Sequence, residues 1–322
     1  MDLFGGAFRN PAMREALARL QELAVSQPAL RCAPRAEALV VVDEESLRWT
    51  TPNHPLTVPL FAVQKQWHLL RSGFPWTFIT LEDYLKLDWP DARLVYFVNL
   101  FRQRAGLADR LHARLRAQQA TAVWTLWPGW LGDAGLDVEG VTELTGFSVE
   151  ALPKTAGDWS FRSGEGLLYG TGVHRAEYEA RMKYYPPAHA FADQPRLGIQ
   201  PEPGDEMLAE WTDCAAVSLA RSSRLGFTSI MNAGPLLPEQ ILHTLAGPAG
   251  VHRYTEPGHL VYANGKAVAV YTGGAAGSCT VQLRQRARVV DLWNANIVAS
   301  EPVSQVTVPA QGQQTLLWRL DV

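Results

Sequence analysis

The sequence is short of paired cysteines. Cys32, Cys214 and Cys279 are far apart, odd in number and free of any C-x-x-C spacing. A disulfide framework is not expected, and a reducing compartment suits this usage. One-sided charge is also missing. With 29 basic and 32 acidic side chains the formal net charge is −3, so the basic face of a nucleic-acid binder is absent. No apolar run reaches the roughly 20 residues a membrane span needs. No basic segment precedes an apolar run near Met1, so no signal peptide is read and a cytoplasmic location is expected. The eight histidines form no H-E-x-x-H and no zinc spacing. Gly164-Glu165-Gly166 and Gly170-Thr171-Gly172 neither follow a clear strand nor open a clear helix, so no nucleotide is implied and no cofactor is expected.

What remains is ample apolar material. At 322 residues and 47% hydrophobic content the chain is long enough for about two domains. Asn10-Pro11 starts a helix with an apolar stripe at Met13, Leu17, Leu20 and Ala24. That stripe needs a surface to cover. Pro28 to Pro34 reads as a linker. Then come four short strands, 38–42, 77–80, 94–98 and 122–126, the first of them a continuous apolar run ending in Asp43. A short run without polar alternation suits a strand covered on both faces. Between them, Leu60, Val63, Trp67 and Leu70 mark a helix stopped by Gly73 in a left-handed cap, and Leu107, Leu111 and Leu115 mark another. The order predicts an α/β fold with a doubly wound parallel sheet. A short helix is read over 139–144, strands over 214–219 and 227–231, and a helix from Leu237-Pro238 to Gly247. After Val251 six short strands are separated by turn signals such as Asn264-Gly265, which predicts a small antiparallel β-sandwich.

Chemistry is harder to find. Glycoside hydrolysis needs two carboxyl groups across a scissile bond. Asp43, Glu44 and Glu45 follow the first strand at the edge where open sheets bind ligands, and they are the best local cluster. The plainer reading is that they cap and solvate a loop. The turns after the third and fourth strands, Asn99-Leu100-Phe101 and Trp127-Pro128-Gly129, hold neither Cys nor Ser, and no G-x-S-x-G exists. The arginine-rich stretch 102–116 reads as a solvated helix face. Aromatics are more suggestive. Trp49, Trp127 and Trp130, with Asn53 and His54, belong to loops leaving the same sheet edge. They read either as a sugar or protein contact surface or as a local closure of the core.

Three segments carry a family resemblance. Val40 to Ser46, Arg93 to Phe101, and Ala122 to Trp130 followed by Glu143 to Gly146 resemble the first, third and fourth strands of the trimerisation domain of glycoside hydrolase family 42 β-galactosidases. Val289 to Trp293 and Leu316 to Leu320 are similar to the small β-domain that closes such chains, and Asp2 to Gly6 looks like the segment after their barrel. The resemblance implies three regions: 1–34, a helix and linker that follow a barrel; 35–250, a flavodoxin-like or class I glutamine amidotransferase-like assembly domain without the catalytic Cys; and 251–322, the β-domain. It implies a homotrimer and a catalytic barrel in cis or in trans. No barrel motif is matched, so no family catalytic residue falls on this sequence. The expectation is therefore a non-catalytic oligomerisation and accessory region of a β-galactosidase-like enzyme. An independent module for a β-galactoside or other sugar, and a stand-alone hydrolase using Asp43, Glu44 or Glu45, are the alternatives.

Overall fold

The structure, a computed structural model, describes residues 11–30, 32, 36–49, 68–133, 135–153, 161–162, 196–211, 214, 216–234, 236–273 and 277–322. Contacts group the chain into two units, Ala36–Leu260 and Met1–Arg35 with Val261–Val322.

The larger unit is built on a ten-stranded mixed sheet. β1 (Ala38–Val42), β2 (Thr77–Thr80), β3 (Leu94–Phe97) and β4 (Thr121–Thr125) are parallel and lie in the order β2-β1-β3-β4. The sheet continues antiparallel beyond that. β5 (Ser148–Leu152) lies at the far end, next to β7 (Arg196–Gln200), and β6 (Phe161–Arg162) pairs with β8 (Glu206–Trp211). β9 (Val217–Ser222) accepts β7, β8 and β10 (Ser229–Asn232), all antiparallel, and β10 closes the parallel run beside β4. The expected all-parallel sheet is thus corrected to a mixed one. Its parallel half has the 2-1-3-4 succession of a doubly wound sheet, with the chain reversing direction across the sheet between β1 and β3.

Alternation explains the continuous apolar strands. Ala38, Val40, Leu94, Tyr96 and Val123 enter one core, while Leu39, Val41, Val95, Phe97 and Trp124 enter the other. Successive side chains point to opposite faces, so a strand buried on both must be apolar throughout. One core is covered by α3 (Leu81–Lys86) through Leu81 and Tyr84, and by α4 (Leu107–Gln118) through Leu107, Leu111 and Leu115. Helix α6 (Glu239–Ala246) covers the other through Ile241, Leu242 and Leu245. Between them α5 (Val138–Thr145) gives Val141 to one core and Leu144 to the other. Trp124 stacks on Phe97 at 4.3 Å and donates its indole N–H to Ser229 Oγ at 2.9 Å. Gly73 has φ +83°, and a Cβ there would run into the Thr255 carbonyl. The helix expected before it falls on Leu60, Val63 and Trp67, which lie outside the described residues.

In the smaller unit, α1 (Pro11–Ser26) has no buried residue, and Met13, Leu17 and Leu20 are exposed. The segment after it is tied to the terminal sheet: Asn264 Nδ2 donates to Leu30 O at 2.8 Å, and Cys32 Sγ to Asn264 O at 3.0 Å. The six expected strands are five, in one antiparallel sheet rather than a two-sheet sandwich. They are β11 (Leu260–Ala263), β12 (Ala267–Tyr271), β13 (Gly277–Asp291), β14 (Asn296–Ala310) and β15 (Thr315–Asp321), in the order β11-β12-β15-β13-β14. Two predicted strands fuse into β13 because pairing with β14 continues, through register shifts, across the polar stretch between them. β14 is a 15-residue edge strand.

Candidate functional site

In doubly wound sheets, ligands bind outside the carboxyl ends of the strands where the order reverses. Here that crevice lies between the loops leaving β1 and β3, and side chains tie it shut. Asp43 is 3% exposed and caps α2 (Glu44–Arg48) by accepting from the Ser46 backbone N–H at 3.2 Å. Ser46 Oγ also donates to Asp43 and accepts the Arg102 backbone N–H at 2.9 Å. From the β3 loop, Asn99 accepts from Asp43 N at 2.8 Å and donates to Asp43 O at 2.9 Å. Arg104 then pairs with Asp43 through Nη2 and with Glu45 through Nη1, both at 2.9 Å.

Of the reading that Asp43, Glu44 and Glu45 cap and solvate a loop, the capping part holds for Asp43, which is buried rather than solvated. Asp43 is committed to a cap and a partly buried ion pair, and Glu45 shares the same guanidinium. Of the three, Glu44 alone is exposed and makes no hydrogen bond or ion pair among the described residues. Asp43 and Glu45 are bridged by one guanidinium, so both are ion-paired to the same cation rather than free to serve as the two carboxyl groups of a glycosidase. Arginine 104, read as part of a solvated helix face, is the centre of the tie. Nothing local in the sequence signals this, because the partners lie some 60 residues away.

The aromatic residues form a graded edge. Trp130 is 4% exposed and belongs to the core. Trp127, half-buried, packs 5.5 Å from Trp130 and 6.0 Å from Phe101. Trp49 is 59% exposed, with the Arg102 guanidinium 4.8 Å over its ring. Arg102 is itself held by the carbonyls of Gly132 at 2.6 Å and Leu131 at 3.3 Å and by Asp133. Trp127 and Trp130 therefore touch, and Trp49 joins the same carboxyl edge through Arg102, the residue after Phe101. Asn53 and His54 lie outside the described residues.

The turn after β4 is fixed by backbone. Gly129 has φ +73°, and a Cβ there would sit 2.5 Å from the Gly140 carbonyl of α5; Gly140 meets Gly129 in the same way. Just before it, Leu126 has φ +70° and is fully buried. A strained residue directly after a parallel strand is where hydrolase elbows present a nucleophile. Here that position carries an aliphatic side chain, which cannot attack a carbonyl. Among the described residues no cluster of metal-ligating side chains occurs, and no helix is long and apolar enough to cross a membrane.

No family model and no curated protein matches the chain. Solved structures do. The β-galactosidase of Bacillus circulans sp. alkalophilus is similar over 94% of this chain, at 19% identity and a TM-score of 0.61. That of a Rahnella species is similar over 95%, at 17% identity and a TM-score of 0.61. A further β-galactosidase, described as belonging to glycoside hydrolase family 42, is similar over 94%, at 14% identity and a TM-score of 0.54. In each case the chain spans 44% of the length of that structure. The likeness is one of fold, to part of a β-galactosidase.

Proposed function

We propose that this chain is the non-catalytic assembly and accessory region of a β-galactosidase-like glycoside hydrolase related to family 42. In this reading, residues 35–250 are an amidotransferase-like domain that builds a trimer, residues 251–322 are the terminal β-domain, and a catalytic barrel is supplied in cis or in trans. The observation that carries it is the match of nearly all of this chain to 44% of each β-galactosidase. The tie across the β1 and β3 loops and the aliphatic residue at the β4 elbow support it, since Asp43 and Glu45 are engaged with Arg104 and Leu126 carries no reactive group. The exposed stripe of α1 fits a surface awaiting a partner, and a barrel is the partner this reading supplies.

The test has two arms. Purified chain should leave nitrophenyl galactosides intact, and turnover that disappears in Glu44→Gln or Glu45→Gln would overturn the non-catalytic reading. Sedimentation should show a trimer at micromolar concentration; a monomer would remove the assembly role. A second reading, a sugar-binding module, is favoured by the exposure of Trp49, an amphipathic ring suited to stacking on a sugar face.

A further inference from the structure

On the outer side of the tie, and lined in part by its Asp43, Glu45 and Arg104, the carboxyl edge keeps an open cleft of about 400 Å3, within the size range of small-molecule sites. It is bounded by the residues that follow β1, β2 and β3. We propose that it binds a neutral, hydroxyl-rich ligand, a mono- or disaccharide. The choice of sugar class rests on the glycoside-hydrolase reading above; the choice of a neutral polyol rests on the wall itself.

Four carboxylates line the cleft: Asp43, Glu44, Glu45 and Glu82. Four cations face them: Arg48, Lys86, Arg104 and Arg110. The formal charges cancel. An anion would meet four carboxylates and a cation four basic groups, so neither is favoured by the wall as a whole. A hydroxyl is both donor and acceptor, whereas an ionised carboxylate only accepts and a guanidinium only donates. A wall that mixes the two therefore satisfies neighbouring hydroxyls in both directions. Leu81 and Leu85 supply an apolar strip against which the C–H face of a sugar ring can pack.

The wall also divides into engaged and free groups. Arg104 is taken by Asp43 and Glu45, and Lys86 pairs with Glu82. Among the described residues the side chains of Glu44, Arg48 and Arg110 make no hydrogen bond or ion pair, and all three are exposed. They are one acceptor and two donors with nothing else to bind.

Titration calorimetry on the full chain with galactose, lactose and inorganic phosphate tests this. Galactose or lactose should bind in the millimolar range, and Arg48→Ala and Arg110→Ala should each weaken binding about fivefold or more. Their thermal midpoints should stay unchanged, since neither side chain has a partner among the described residues. Glu44→Gln, which keeps the shape and loses the charge, should weaken binding less than either arginine change. No heat from either sugar would overturn the proposal. So would phosphate binding that the arginine variants abolish, which would make this an anion site. Sugar binding lost in Trp49→Ala but kept in the three cleft variants would place the sugar on the tryptophan and overturn it as well. A chain that forms a trimer and is inactive, yet binds no sugar, fails this inference alone; a monomer that binds sugar fails only the assembly reading.

Discussion

One edge of the larger sheet holds its loops in two different ways. After β1 and β3 the tie is polar: Asp43, Ser46, Asn99 and Arg104 close on one another. After β4 the contact is backbone on backbone, Gly129 against Gly140, with Trp127 and Trp130 packed alongside. A polar tie fails when one partner is removed, because the other is left desolvated and unsatisfied. A glycine contact has no side chain to lose and fails only when one is added.

The largest expected effect breaks the polar tie. Asp43→Ala uncaps α2, strands Ser46 Oγ and leaves Arg104 with Glu45 alone. Urea unfolding should show a loss of about 3 kcal/mol, at the low end for a broken buried pair because Arg104 keeps some solvent. Next is the backbone contact. Gly129→Ala forces a Cβ at φ +73° into a carbonyl, and the same unfolding measurement should register about 2 kcal/mol. Equal small losses in both variants would show that neither contact holds its loop.

A second ionic group elsewhere in the same unit responds to acid. Burial alone would raise the Asp205 carboxyl. Hydrogen bonds from Arg224, Ser222 and the Glu202 backbone outweigh that and hold it below its ordinary 3.8. A carboxyl with a depressed folded value stabilises the fold fully above 3.8, and that contribution vanishes as pH falls through the lower folded value. Asp205→Asn should therefore flatten the stability–pH curve at the acid end and leave Gly129→Ala's penalty unchanged there. An unaltered curve would remove Asp205 as a contributor. The smallest effect belongs to Trp49→Ala. Its ring is mostly in water, so only the stack with Arg102 is lost, about 0.5 kcal/mol by thermal unfolding.

β1 and β3 of the parallel half were legible because they are buried on both faces and so read as unbroken apolar runs, whereas the edge strand β2 has no buried residue. In the antiparallel half the strands expected over 214–219 and 227–231 anticipated β9 and β10, while β5, β7 and β8 were not read. β7 opens on Arg196, a fully buried cation lying over Trp211, and β8 opens on Glu206 and carries Glu210 next to its last residue. Charges inside a sheet conceal it from any pattern based on hydrophobicity. The aromatic loops could be assigned to one edge from topology, but depth could not: nothing in the sequence separates Trp130 in the core from Trp49 in water. The tie was invisible for a different reason. An Asp-Glu-Glu run looks alike whether solvated or paired, and its partners Asn99 and Arg104 are brought to it only by the crossover from β1 to β3.

The long edge strand β14 has a consequence for the protein at high concentration. Fifteen residues of unpaired strand edge invite another chain to add itself, and repeated addition produces fibres. Pro302 and Pro309 each delete a main-chain donor from that strand, and Glu301 adds a charge next to the first. A newcomer would find its ladder of hydrogen bonds interrupted after a few rungs. Concentrated solutions should therefore stay clear, with light scattering that does not grow over days, and replacing both prolines by Val should make them cloud.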